Sequence, residues 1–324
     1  MLMEPLVFKP DFKERVWGGQ KLKTVYGKEI PFEHTGESWE IACHHNGQSR
    51  VARGIYKGLT LQDLLLKHGE AVIGRSFGQG DKFPLLLKII DAKADLSVQV
   101  HPDDAYAGVN ENGELGKSEA WVVLEADPGA KLVVGLVEGT TKESFSKALE
   151  EGRVATVLNQ LEVEAGDVVD IPAGLVHAIG KGILLAEIQQ NSDTTYRVYD
   201  WDRVGLDGKS RELHIEKSLD TIDFDGIHST QCTLGRRQGH EGYTHTQYIS
   251  NTYFALESIE VVDVYEASRE NDFEIYLVLE GGGQLKGDFD PITLKLGDSL
   301  IIPNATKAYR FQGEMKLLKT YVPQ

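Results

Sequence analysis

The sequence has little cysteine, no long apolar run and a shortage of basic residues. Cys43 and Cys232 are the only cysteines among 324 residues, too few for a disulfide framework and without a CxxC partner, so both read as reduced thiols. The longest apolar runs, such as FPLLL at 83–87 and SLIIP at 299–303, are of strand length. They fall well short of the ~20 residues of a membrane span, which excludes a transmembrane helix. The N-terminus MLMEPLVFKPDF has an acid and a proline where a secretion signal needs a basic flank and an apolar stretch. Lys and Arg number 34 against 50 Asp and Glu, and the net charge of −16 repels nucleic acid and anionic membrane surfaces. A cytoplasmic protein with neither partner is expected, and any phosphorylated small molecule has to be met by a local basic cluster.

What the chain does have is many short strands. Turn residues recur along it, and between them lie alternating segments: SRVARGIY, LSVQV, EAWVVLEA, KLVVGLV, DVVDIP, GILLAEIQ, YFALESIEV, FEIYLVLEG, ITLKL, SLIIP and MKLLKTYV. This is the pattern of an all-β sandwich or barrel. Helical periodicity is confined chiefly to 59–73 and 141–161, the latter opening on Thr140 or Thr141 as N-cap, and both read as insertions between strands.

A weak internal repeat organises the rest. LEVEAGDVVDIPAGLVHAIG (161–180) and ITLKLGDSLIIPNATKAYRF (292–311) share an alternating strand, a Gly-Asp turn at Gly166 and Gly297, a second strand, and a proline at Pro172 and Pro303. One supersecondary unit used twice implies two copies of one all-β fold. The interruption at 222–232 places the division into an N-terminal unit, 1–225, and a C-terminal unit, 226–324. Where the first copy has His177 the second has Ala308, so only the first can use that position for chemistry.

Gly166 to His177 spells G-x5-P-x-G-x2-H, the spacing of the second conserved motif of cupin barrels, in which the histidine faces inward from the returning strand. A buried structural histidine is the alternative. In LSVQVHPDD (96–104), Leu96, Val98 and Val100 share an apolar face, while Ser97, Gln99 and His101 share the other. Glu119 opens the next strong strand. Gln99, His101, Glu119 and His177 together would offer two imidazoles, a carboxylate and an amide, a set suited to zinc or a related divalent ion with one position left open. Taken alone, Gln99 reads equally as a solvated strand residue.

LSVQVHPDD, GELGKSEAWVVL (113–124), IPAGLVHAIG (171–180) and EIQQNSDTTYRVYDW (187–201), with GESWEIACHHNGQS before them, resemble the type I mannose-6-phosphate isomerases in their short bacterial form. The resemblance implies two jelly-roll cupins, the first catalytic with short helical insertions and the second degenerate and metal-free. It implies one Zn2+ per chain on Gln99, His101, Glu119 and His177, with Arg197 catalytic and Ser97, Lys88 and Lys117 at the sugar. The implied reaction interconverts D-mannose 6-phosphate and D-fructose 6-phosphate by moving a proton between C1 and C2 through an enediolate. The ion and the Arg197 guanidinium would stabilise the charge that develops on the oxygens. A metal-bound water, Lys117 or a carboxylate such as Asp193 would carry the proton. Lys88, Lys117, Arg197 and Arg203 form the basic cluster for the phosphate. A sugar-phosphate-binding cupin without turnover, or an epimerase or dioxygenase on the same barrel, are the alternatives.

Other groups read as structural. Adjacent on a strand, His44 and His45 would point to opposite faces and could not share a site, and at least one of them reads as a loop edge. His240 and His245 read as a solvated loop, the glycines of VLEGGGQLKG (278–287) as a hairpin, and Trp121 and Trp201 as core.

Overall fold

Several of the apolar strands alternate between two cores rather than between core and water, which explains their unbroken hydrophobicity. The computed structural model describes residues 3–226, 228–268 and 271–323. A six-stranded sheet runs Val168–Ile171, Glu119–Ala126, Ile183–Gln190, Leu85–Ala92, Asp11–Gly19, Thr35–Ile41. Against it packs a five-stranded sheet in the order Leu158–Glu162, Lys131–Leu136, His177–Ile179, Val98–Val100, Tyr196–Tyr199, the two sharing a core that includes Trp121, Ile90, Leu132 and Ile179. Leu85, Leu87 and Ile89 turn away from this core into a second one, while Lys88 and Ile90 turn inward. Ile183–Gln190 behaves alike, with Leu184, Ala186 and Ile188 in the second core and Glu187 on the cavity wall.

The second core joins this sandwich to a ten-stranded sheet. That sheet contains the second copy of the repeat, and Gly166 and Gly297 both adopt the left-handed turn (φ 101° and 82°). The N-terminal strand Leu6–Lys9 pairs with Ser299–Ile302, so the start of the chain crosses to the far sheet. Helix Leu61–Ile73 fills the space between, its N-terminus closed by a Thr60–Asp63 capping box and Leu61, Leu64, Leu65 and Val72 buried. Among the described residues no helix is long and apolar enough to cross a membrane.

Several details differ from the sequence reading. The helix expected over 141–161 covers only Lys142–Glu150, capped by Thr141; Gly152 (φ 65°) breaks it, and Leu158–Glu162 is a strand paired with Lys131–Leu136. Short helices at Asp104–Asn110 and Ile215–Thr221 were not expected. SRVARGIY yields only the two-residue strand Arg50–Val51. The glycines 281–283 lie inside the long strand Glu274–Gly287 and not in a hairpin. At Gly281 (φ 67°) a Cβ would come within 2.2 Å of the Glu314 carbonyl, so the close approach of strands requires glycine. His240 and His245 also lie on strands; His240 stacks on Tyr243 and His245 Nε2 stands 3.1 Å from Glu257. Both cysteines are free thiols.

Candidate active site and metal centre

Strand register builds the site in two rows. On the five-stranded sheet, His177, Gln99 and Arg197 lie side by side on three neighbouring strands. On the six-stranded sheet, Lys88, Glu187 and Trp121 form one row, with Gln189 and Glu119 in the next. Val98 and Val100 face outward, onto a core closed by Phe145 of helix Lys142–Glu150. Leu96 precedes the strand and packs on the inner side instead, a departure from the shared face expected for it.

His101, Glu119 and His177 converge, their donor atoms lying within 4.8 Å of one another. Each imidazole is oriented through its other nitrogen: His101 Nδ1 lies 2.9 Å from the Thr194 carbonyl and His177 Nδ1 2.8 Å from that of Leu175. A carbonyl only accepts, so both Nδ1 atoms carry the proton and both Nε2 lone pairs point to the centre. The two Nε2 atoms are 3.1 Å apart, and His177 Nε2 and His101 Nε2 stand 3.4 and 3.7 Å from the Glu119 carboxylate. Burial first, then the Lys117 charge, lowers the pKa of His101 well below 6.5, and burial lowers that of His177 to about 4. Both rings are therefore neutral, the form that ligates.

Glu119 is completely buried, and neither of its oxygens accepts a hydrogen bond. The Lys117 ammonium lies 2.8 Å from this carboxylate without hydrogen-bond alignment, and 2.9 Å from His101 Nε2. The donor set is thus already drawn round a positive charge. Two neutral imidazoles and a buried carboxylate paired with Lys117 fit a divalent ion of the zinc type. Gln99 Nε2 is 3.3 Å from His177 Nε2, and turning the amide over would present its oxygen at the same place.

A cavity of about 600 Å³ opens beside these groups, lined by Lys88, Ser97, Gln99, Lys117 and Arg197, all expected at the sugar or the metal. Arg197 Nε donates to Ser97 Oγ at 3.2 Å and Nη1 to the Glu212 carbonyl at 2.9 Å, which holds the guanidinium beside the cavity. Lys88 Nζ donates to Glu187 Oε1 at 2.9 Å and to Gln189 Oε1 at 2.6 Å. Burial works against the Lys88 charge, but Glu187, Glu37 and Asp193 outweigh it and raise its pKa. Burial likewise opposes the Glu187 charge, and Lys88 and Lys117 outweigh it, holding that carboxyl well below its usual range. Glu119 moves the other way, pushed up by burial and then by the Glu187 charge.

Arg203 does not join the basic cluster. It is tied to Asp200 at 2.8 Å and to the Asp95 carbonyl and does not line the cavity; Arg211, bound to the same Asp200 at 2.7 Å, and Arg15, paired with Glu37 at 2.8 Å, line it in its place. Trp121 is core, as expected, and donates to Glu187 Oε2 at 3.1 Å while its ring meets His177 edge-on. Glu187 was missed by sequence reasoning although a lone charge inside the apolar run GILLAEIQ is a visible signal. Arg15 and Arg211 carry no such pattern.

Residues 6–121 match the family model for the catalytic domain of type I phosphomannose isomerases, and residues 244–322 that for the mannose-6-phosphate isomerase cupin domain. The chain is 41% identical to mannose-6-phosphate isomerase ManA of Bacillus subtilis, over 99% of this chain and 100% of that protein. It is 38% identical to the mannose-6-phosphate isomerase of Streptococcus mutans, over 99% of each. The fold matches the crystal structure of mannose 6-phosphate isomerase from Bacillus subtilis with a TM-score of 0.93 at 36% identity, over 99% of this chain and 100% of that one.

Proposed function

The chain belongs to the type I mannose-6-phosphate isomerases, and we propose that it interconverts D-mannose 6-phosphate and D-fructose 6-phosphate in the cavity beside Gln99, His101, Glu119 and His177, with one zinc ion per chain. The observation that carries this reading is the convergence of two neutral imidazoles and a buried carboxylate beside a cavity lined by Gln99, Lys117 and Arg197. His101, Glu119 and His177 would hold the ion, with Gln99 beside them. A bound divalent ion supplies Lewis acidity to the sugar oxygens at C1 and C2.

The protein's own groups do the rest. Arg197, fixed through Ser97 and Glu212, brings a permanent positive charge to the side of the cavity where an oxygen gains charge as the proton moves. Glu187, Asp193 and Lys117 line the cavity, and one of them would carry that proton. Arg15, Arg211 and Arg197 offer donors to the phosphate, which makes up locally for the acidic surface. The catalytic cupin then lies within 1–225 and the unit 226–324 works without metal. There Ala308, an exposed residue, stands at the position of His177. A cytoplasmic role, with a small sugar phosphate as substrate, accords with the free thiols.

The test is turnover of fructose 6-phosphate to mannose 6-phosphate by zinc-loaded protein, alongside chelated protein. Activity in the first and its loss in the second are expected. No turnover in the loaded protein would overturn the reading.

A further inference from the structure

Close to the sugar cavity lies a smaller one, of about 260 Å³, which shares Asp193, Thr195 and His214 with it. Its wall includes His44, His45 and Glu114, whose donor atoms all lie within 4.8 Å of one another. Strand alternation fails to separate the two histidines because the strand Cys43–His44 ends before His45. The chain turns there and brings the rings to 4.1 Å between centroids.

His44 is 6% exposed, and its Nε2 has no hydrogen-bond partner. Burial, then the neighbouring His45, lowers its pKa, so the ring is neutral. Glu114 comes from the loop after helix Asp104–Asn110; its Oε2 accepts no hydrogen bond and stands 3.0 Å from Lys82. Glu111 also reaches this cavity, where Lys217 holds it at 2.5 Å, and Asp193 is held by Asn46 Nδ2 at 3.0 Å. The walls therefore offer two imidazoles and a carboxylate, with two further carboxylates nearby. Nitrogen donors with few oxygens select a zinc-type ion over magnesium or calcium.

We propose that His44, His45 and Glu114 form a second divalent-cation site, separate from the catalytic centre and next to the substrate cavity. Ligation by His44 Nε2 moves the ring proton to Nδ1 and exchanges one long hydrogen bond, donated to Nδ1 by the Asn46 backbone N–H at 3.2 Å, for a metal bond. The site needs none of His101, Glu119 or His177.

The test counts zinc in the full-length protein after equilibration with zinc held at a fixed free concentration by a competing chelator. Wild type is expected to bind two ions per chain. The double variant His45→Gln, Glu114→Gln changes an exposed and a half-buried side chain and so spares the core, and it should bind one. The variant His101→Ala should also keep one. Saturation of wild type at a single ion, or a second ion that survives the double variant, would overturn the proposal without touching the catalytic reading. Cobalt gives a second readout: the double variant should lose one of two visible absorption components and His101→Ala the other.

Discussion

Replacing Lys88 with methionine removes half of a buried ion pair while keeping most of the side-chain volume. The Lys88 and Glu187 side chains are 5% and 4% exposed, and 2.9 Å separates their charges. Leaving a buried charge uncompensated costs about 3–5 kcal/mol. Because Lys117 still acts on Glu187, the lower end, about 3 kcal/mol, is the expectation at neutral pH. The pH dependence follows from the signs. In the wild type the folded pKa of Glu187 is depressed below 4.5, so its contribution is full above that value and lost as pH falls through the folded pKa. In the variant burial dominates and raises the pKa, so the contribution is present below 4.5 and lost as pH rises. The stability gap should therefore be wide at neutral pH and shrink toward pH 4.5, and the second change Glu187→Gln should recover most of it. Urea unfolding followed by tryptophan fluorescence measures each value. A cost under about 1 kcal/mol, or an equal gap at both pH values, would refute the picture of a desolvated pair.

Arg197→Ala should lower kcat by about 10²–10³-fold while the bound metal stays stoichiometric, measured by turnover and metal analysis on one sample; parallel loss of both would make Arg197 a structural residue. His177, with its folded pKa lowered to about 4 from 6.5, contributes stability that is complete above pH 6.5 and lost as pH falls toward 4, about 3 kcal/mol in the metal-free protein. His177→Gln should flatten that part of the acid-unfolding curve, and an unchanged curve would rule the histidine out as its source. Ala308→His should leave zinc stoichiometry unchanged, because position 308 is exposed and its side chain faces water; an added ion would show the second barrel to be one residue from a metal site.

The parts of this site that could be read from the sequence are those with a period or a fixed spacing. Gln99 and His101 follow from alternation, and His177 from the glycine and proline around it, because turn geometry and strand parity are local. The convergence of Glu119 with them depends on which strands face each other, which only the resemblance to a family supplied. Glu187 and Lys88 sit as single charges inside apolar strands, visible as oddities but unpaired until register sets them side by side. The exchange of Arg203 for Arg211 could not be foreseen, since Asp200 lies within reach of both. Helix length failed at 150 because the apolar spacing of 154–161 suits a helix, yet Gly152 and pairing with Lys131–Leu136 decide for a strand. His45 lies past the end of its strand, as the loop-edge reading expected, but the opposed faces did not follow, because parity holds only while the strand lasts.

The central claim is that the ion lies among His101, Glu119 and His177. Anomalous diffraction at the zinc edge from crystals of zinc-loaded protein tests it directly. A peak bounded by the Nε2 atoms of the two histidines and the Glu119 carboxylate is expected. Density for zinc elsewhere, with none between these three residues, would contradict it.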